Sequence, residues 1–250
     1  MIHNPDRLFC VDHQVVCAAS NGPFPCLFAI IFVFLFDKSG KSPGSESMAL
    51  IQGFLLGYLI GSFPTAYLVV MWKAQLDIRG KGSGNVGALN ALEVSGSKLV
   101  GALVLLIDLG KGAFAVWLGS RLIGDDLWIR GIAGIGAVAG HNYSFWLRFR
   151  GGRGLSTAAG VMLGLDWILV VLWCLLWVAG YLYPRNVHVA NISASVLSPV
   201  LTIPLLRTLR PAEDGTVAET ALIMSVLCLL ILLRHIGYFG EFRKIVQKTN

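Results

Sequence analysis

Asp108 and Lys111 lie three residues apart inside an apolar stretch, IDLGKG, and so share one helical face. Each would cost about 3 kcal/mol at a bilayer centre, so they must pair or face water. A lysine in a polar cavity can hold a phosphate, with the aspartate orienting it. A structural ion pair is the plainer alternative. The segment 140–160, GHNYSFWLRFRGGRGLSTAAG, carries the next set. There Arg148, Arg150 and Arg153 surround Gly151, Gly152 and Gly154. Glycines let a backbone curl so that several N–H groups meet one anion, and the arginine fork fits phosphate. His141 stands just before this turn, and histidine titrates near working pH.

A third set is DIRGKGSGNVGALNALE, residues 77–93. Here Ser83, Gly84, Asn85, Gly87 and Asn90 can offer donors to an anion. Gly82, Gly84 and Gly87 spell G-x-G-x-x-G, but a dinucleotide fold needs a preceding strand and a following helix. This loop joins two apolar spans, which excludes that reading. His188 and Asn191 open one apolar segment and His235 follows another, so His141, His188 and His235 are compatible with a common site. None share the i, i+4 face of a helical metal pair, and no metal site is read. No G-x-S-x-G elbow occurs, and GGRGLST lacks P-loop spacing. Nucleophilic serine chemistry is not indicated.

The elements that must position these residues are membrane helices. The chain is 55% apolar and 14% charged, against about 25% charged in soluble domains. Apolar runs fall at 48–72, 99–118, 131–147, 155–182, 189–206 and 217–233. The fourth is long for one upright helix and Asp166 interrupts it. Two short helices turning near 164–166 would gather twelve basic residues on one side, in loops 73–98, 148–154, 183–188 and the tail from 234. Arg121, Arg130, Arg207 and Arg210 would face the other side. That split favours an all-α, polytopic protein of about seven transmembrane helices, some short or broken. Its basic loops are expected on the cytoplasmic side. With the basic residues in short turns, nucleic acid is not an expected partner.

Residues 1–47 are an atypical leader. Their apolar run, 23–36, is short and begins with two prolines, and no small-residue cleavage site follows. Met48 is the expected true start, with the leader an artefact of gene calling and the membrane domain spanning 48–250; an extra anchor is the alternative. Five cysteines form no C-x-x-C pair, and Cys174 and Cys228 sit in apolar runs, so a disulfide framework is not expected.

At these residues the chain resembles the bacterial acyl-phosphate-dependent glycerol-3-phosphate acyltransferases. The similar pieces are GSFPTAYLV (61–69), DIRGKGSGNVGALN (77–90), IDLGKG (107–112), GHNYSFWLRFRGGRGLSTAAG (140–160) and a weaker RH at 234–235. The resemblance implies a seven-helix enzyme of the bacterial inner membrane. It would move a fatty acyl group from acyl phosphate to the 1-hydroxyl of glycerol 3-phosphate, giving lysophosphatidic acid and phosphate. It implies no cofactor. By resemblance Ser83, Gly84, Asn85, Gly87 and Asn90 match a substrate loop, and Lys111 matches a lysine on the glycerol-3-phosphate phosphate. Gly151, Gly152 and Gly154 match a loop associated with acyl phosphate, and His235 matches a histidine of the last motif. Arg153 stands where the family usually has lysine. Leu89 replaces a threonine and Glu93 an arginine expected to hold the acceptor phosphate. His188 and Asn191 replace serines, and Ile236 and Tyr238 replace arginine and asparagine. A carboxylate at 93 would repel that phosphate. The alternative reading is therefore a divergent member with another acceptor, or one that only binds acyl phosphate or lipid. A transporter would show inverted repeats, and the two halves show none.

Overall fold

Helices form where the chain is apolar and end where a polar residue can cap or a proline removes a donor. The computed structural model describes residues 9–11, 14–16, 45–182, 185–211 and 214–236. Its helices are α1 (Ser45–Ser62), α2 (Thr65–Ala74), α3 (Ala88–Ser95), α4 (Lys98–Leu122), α5 (Leu127–Asn142), α6 (Leu155–Leu165), α7 (Trp167–Leu182), α8 (Val187–Leu209) and α9 (Asp214–Leu233). Ser97, Asp126 and Asn186 cap α4, α5 and α8 by accepting from backbone N–H groups two or three residues on. Short 3₁₀ turns lie at Ile78–Gly80 and Phe145–Leu147.

Among the described residues, four stretches are long and apolar enough to cross a membrane: Glu46–Ala74, Lys98–Leu122, Val187–Leu209 and Gly215–Leu233. The contacts supply the remaining passes. Arg130, near the start of α5, donates to the Gly164 carbonyl at 2.8 Å. Asp166, between α6 and α7, pairs with Arg210 just beyond α8 at 2.8 Å. These contacts bring the start of α5, the α6–α7 hinge and the end of α8 to one level, so that the described residues make seven passes. The broken pair α1–α2 counts as one pass and α4 to α9 as six. At 1.5 Å per residue α6 is about 16 Å long, half the hydrocarbon thickness. It starts inside the bundle, where the loop before it dips in.

The sequence reading needs three adjustments, and its favoured two-helix form of 155–182 holds. The first span begins at Ser45 rather than Met48, and it breaks at Phe63–Pro64 because Pro64 has no N–H to give. The span expected at 131–147 runs instead over Leu127–Asn142, started by the Asp126 cap. The 155–182 segment is two helices hinged at Asp166, as favoured. The loop 73–98 contains α3, whose Ala91 packs with Val100 and Val104 of α4. Most of the leader, including 23–36, lies outside the described residues. Within it Phe9–Val11 and Gln14–Val16 pair as antiparallel strands.

Small residues bring the helices into backbone contact. A Cβ on Gly57 or Gly61 would overlap the carbonyls of Ala133 or Ala137, and one on Gly136 or Gly140 those of Phe54 or Tyr58. This reciprocal four-residue spacing lets α1 and α5 touch along their length. Gly112 and Gly160 do the same for α4 and α6, against Thr157 and Leu109. The two seams place Lys111, His141 and the break at Phe63 at one level.

Candidate active site

Lys111 lies thirteen residues into α4 yet does not face lipid. Its Nζ is 2.9 Å from Asp108 Oδ1 and donates to the Phe63 carbonyl at 3.1 Å. The proline break makes that carbonyl available. His141, at the end of α5, turns Nδ1 toward the same Asp108 oxygen at 3.8 Å, beyond hydrogen-bond reach. All three side chains are buried. They line a small cleft together with Thr65, Val86, Gly151 and Gly152. Thr65 Oγ1 is buried on this wall without a hydrogen-bond partner.

The two glycine-bearing loops meet at this cleft. A Cβ on Gly152 would stand 2.6 Å from the Val86 carbonyl and would overlap the His141 ring. The loop of residues 77–90 is folded around Asn90. Its amide nitrogen donates to the carbonyls of Ile78, Lys81 and Asn85, and its oxygen accepts from the Ser83 N–H at 3.0 Å. Asn90 is buried and organises the loop, while Val86 is the loop's residue on the cleft. Ser83, Gly84, Asn85 and Gly87 lie in the same loop and do not line this cleft. At the rim Arg79 and Asp77 form a forked ion pair, 2.6 Å at its shortest. The Arg79 guanidinium holds the Asp77 carboxyl below its usual range.

The second loop departs from expectation. Gly151 and Gly152 line the cleft, but their N–H groups donate to the carbonyls of Asn142 and His141 at 3.2 and 3.0 Å. They form a zipper against the end of α5 rather than a cradle of free donors. Glycine is required there because a side chain would collide with α5. Gly154 takes φ +76 and begins α6 without a side-chain cap. The amides of Leu155, Ser156 and Thr157 that follow have no partner within their own helix. Arg153 is half-buried and lies beside, not on, the cleft wall.

His235 also stands apart. It is fully buried, with Nδ1 2.8 Å from the Ile231 carbonyl and Nε2 3.3 Å from the Asn191 amide nitrogen. Asn191 accepts from Trp177 at 2.7 Å, so it presents its NH₂ to His235. The histidine is therefore neutral and carries its proton on Nδ1. Burial pushes its pKa below the usual range, helped by the charges of Arg153, His188 and Arg234 and opposed by the Ile231 hydrogen bond. His188 and His235 lie with ring centres 6.2 Å apart, so His141 alone of the three histidines reaches the cleft. Glu93 and Leu89 are exposed on α3 and do not line this cleft. Tyr238 lies outside the described residues. Thr65 and Arg234 were not singled out by sequence. Thr65 sits within the GSFPTAY piece, and Arg234 had only the weak RH signal.

The glycerol-3-phosphate acyltransferase family model matches residues 51–244. The chain belongs to this family. It is 34% identical over 204 residues to a glycerol-3-phosphate acyltransferase of Jannaschia, covering 81% of this chain and 94% of that one. It is 42% identical over 154 residues to glycerol-3-phosphate acyltransferase 2 of Moorella thermoacetica, covering 61% and 77%. The fold is similar to the crystal structure of PlsY, an integral membrane glycerol 3-phosphate acyltransferase, in its glycerol 3-phosphate form. The TM-score is 0.61 at 27% identity, over 80% of this chain and 93% of that chain. Its lysophosphatidic acid form matches equally, at 26% identity over 78% and 93%.

Proposed function

We propose that this protein acylates glycerol 3-phosphate at its 1-hydroxyl with acyl phosphate as donor. The products are lysophosphatidic acid and inorganic phosphate. The observation that carries the reading is the buried Asp108–Lys111 pair opening, with His141, onto a cleft where both glycine loops meet. The hydroxyl oxygen attacks the acyl carbonyl carbon, a new C–O bond forms, and the bond from that carbon to the phosphate oxygen breaks. The donor is already activated, so no enzyme nucleophile is needed. Catalysis is positioning and charge neutralisation. Lys111 neutralises a substrate phosphate, and Asp108 fixes the ammonium. The hydroxyl proton has two acceptors in such a cleft, the departing phosphate and His141. A His141→Gln variant that keeps kcat assigns it to the phosphate.

Orientation follows from charge. Lys73, Arg79, Lys81, Lys98, Arg148, Arg150, Arg153, Arg185 and Arg234 lie at the cleft end. Arg121, Arg130, Arg207 and Arg210 lie at the other. This split supports a reading in which the cleft end faces the cytoplasm from the bacterial inner membrane. The position of Glu93 outside the cleft favours glycerol 3-phosphate over another acceptor. Purified protein given palmitoyl phosphate and glycerol 3-phosphate should release lysophosphatidic acid and phosphate in equal amounts. Product only with a different alcohol would replace the acceptor, and no product with any would refute the reaction.

A further inference from the structure

Arg234 follows α9 directly and reaches back across the bundle. Its Nε donates to the Gly152 carbonyl and its Nη2 to the Gly151 carbonyl, both at 2.9 Å. The guanidinium lies 5.5 Å from the centre of the Tyr143 ring, and the Tyr143 carbonyl in turn accepts from Tyr58 at 2.6 Å. The root of the side chain is fixed as well. The Arg234 N–H donates to the Ile231 carbonyl at 3.1 Å. Asn142 donates to the Leu230 carbonyl at 3.0 Å, tying α5 to α9 one turn earlier.

The Gly151–Gly152 strand is thus held on both edges. Its N–H groups are taken by α5 and its carbonyls by Arg234. Without the second set the strand has two hydrogen bonds and no side chains to anchor it. We infer that Arg234 is a positioning residue of this active site, its fork holding the glycine strand as a fixed wall of the cleft that Lys111 lines. The planar guanidinium suits two consecutive carbonyls, whereas a lysine ammonium is a point charge without that fork. The kinetic consequence rests on the acyltransferase reading, and the effect on the strand does not.

The test compares the wild type with Arg234→Lys and Arg234→Ala in detergent. In both variants, hydrogen exchange in the peptide spanning 148–154 should quicken at least tenfold, with the rest of the bundle unchanged. kcat for acyl transfer should fall about tenfold in the lysine variant and more in the alanine variant. Millimolar guanidinium should recover part of the alanine variant's kcat. Unchanged exchange in 148–154 overturns the inference. So does a kcat loss accompanied by uniform loosening of all helices, which marks a merely structural arginine. A wild type without acyl transfer refutes the proposed reaction, and the exchange result alone then decides the role of Arg234.

Discussion

The two glycine loops look alike in sequence and are held in opposite ways. The 77–90 loop carries its own organiser. Asn90 gathers three carbonyls and one N–H from residues within twelve positions of itself. The 148–154 loop has no such residue. Its glycines are gripped by the end of α5 and by an arginine more than eighty residues away. One loop is a local structure that the bundle accepts, and the other is shaped by the bundle. A glycine-rich turn therefore has no single meaning. It can free N–H groups for a ligand, or it can allow a backbone to lie flush against a neighbour.

This contrast can be broken at specific residues. Gly152→Ala should have the largest effect, since the new methyl meets the Val86 carbonyl and the His141 ring. We expect kcat/KM to fall at least ~100-fold, about 2.7 kcal/mol of transition-state stabilisation, in a steady-state assay of lysophosphatidic acid formation. Near-normal turnover would show that the strand has room to move. Asn90→Ala should act locally. The lost hydrogen bonds cost about 1–3 kcal/mol of loop stability, so limited proteolysis should cut 77–90 while the 148–154 loop stays resistant. Cleavage in both loops would erase the distinction.

A smaller effect comes from His235, which packs beside the second loop's anchor. Its pKa is held below that of an unfolded chain, so the unfolded state binds the proton more readily. The stabilisation is full above the unfolded value of about 6.5 and is lost as pH falls through the folded value. The thermal midpoint should therefore drop between pH 7.5 and 5.5, and His235→Gln should flatten that slope. A slope unchanged in the variant would assign it to other groups. Smallest of all is Gly80→Ala, where a Cβ meets nothing within 4 Å. Its unfolding free energy should match the wild type within about 0.5 kcal/mol, and a larger shift would mean the first loop is tighter than described.

Most spans were legible from hydropathy, and Asp166 announced the hinge between α6 and α7. The break at Phe63 was missed although Pro64 marked it, because the apolar run continues on both sides. Lys111 and Asp108 were legible as charges where none are tolerated without a purpose. The role of Gly151 and Gly152 was not. Their close approach to His141 depends on how α5 ends, which no local pattern encodes. Arg234 was hidden for the same reason, since its partners are backbone atoms on a distant loop. His235 was legible only by its motif: Asn191 and Ile231 hold it in place, and it does not line the cleft.

The central claim is that separate helices deliver one buried lysine to a cleft closed by both loops. Lys111→Ala tests it most directly, read as kcat/KM for glycerol 3-phosphate beside the thermal midpoint. The account predicts a loss of at least ~100-fold with a midpoint close to the wild type. Near-wild-type turnover in a folded variant would contradict it.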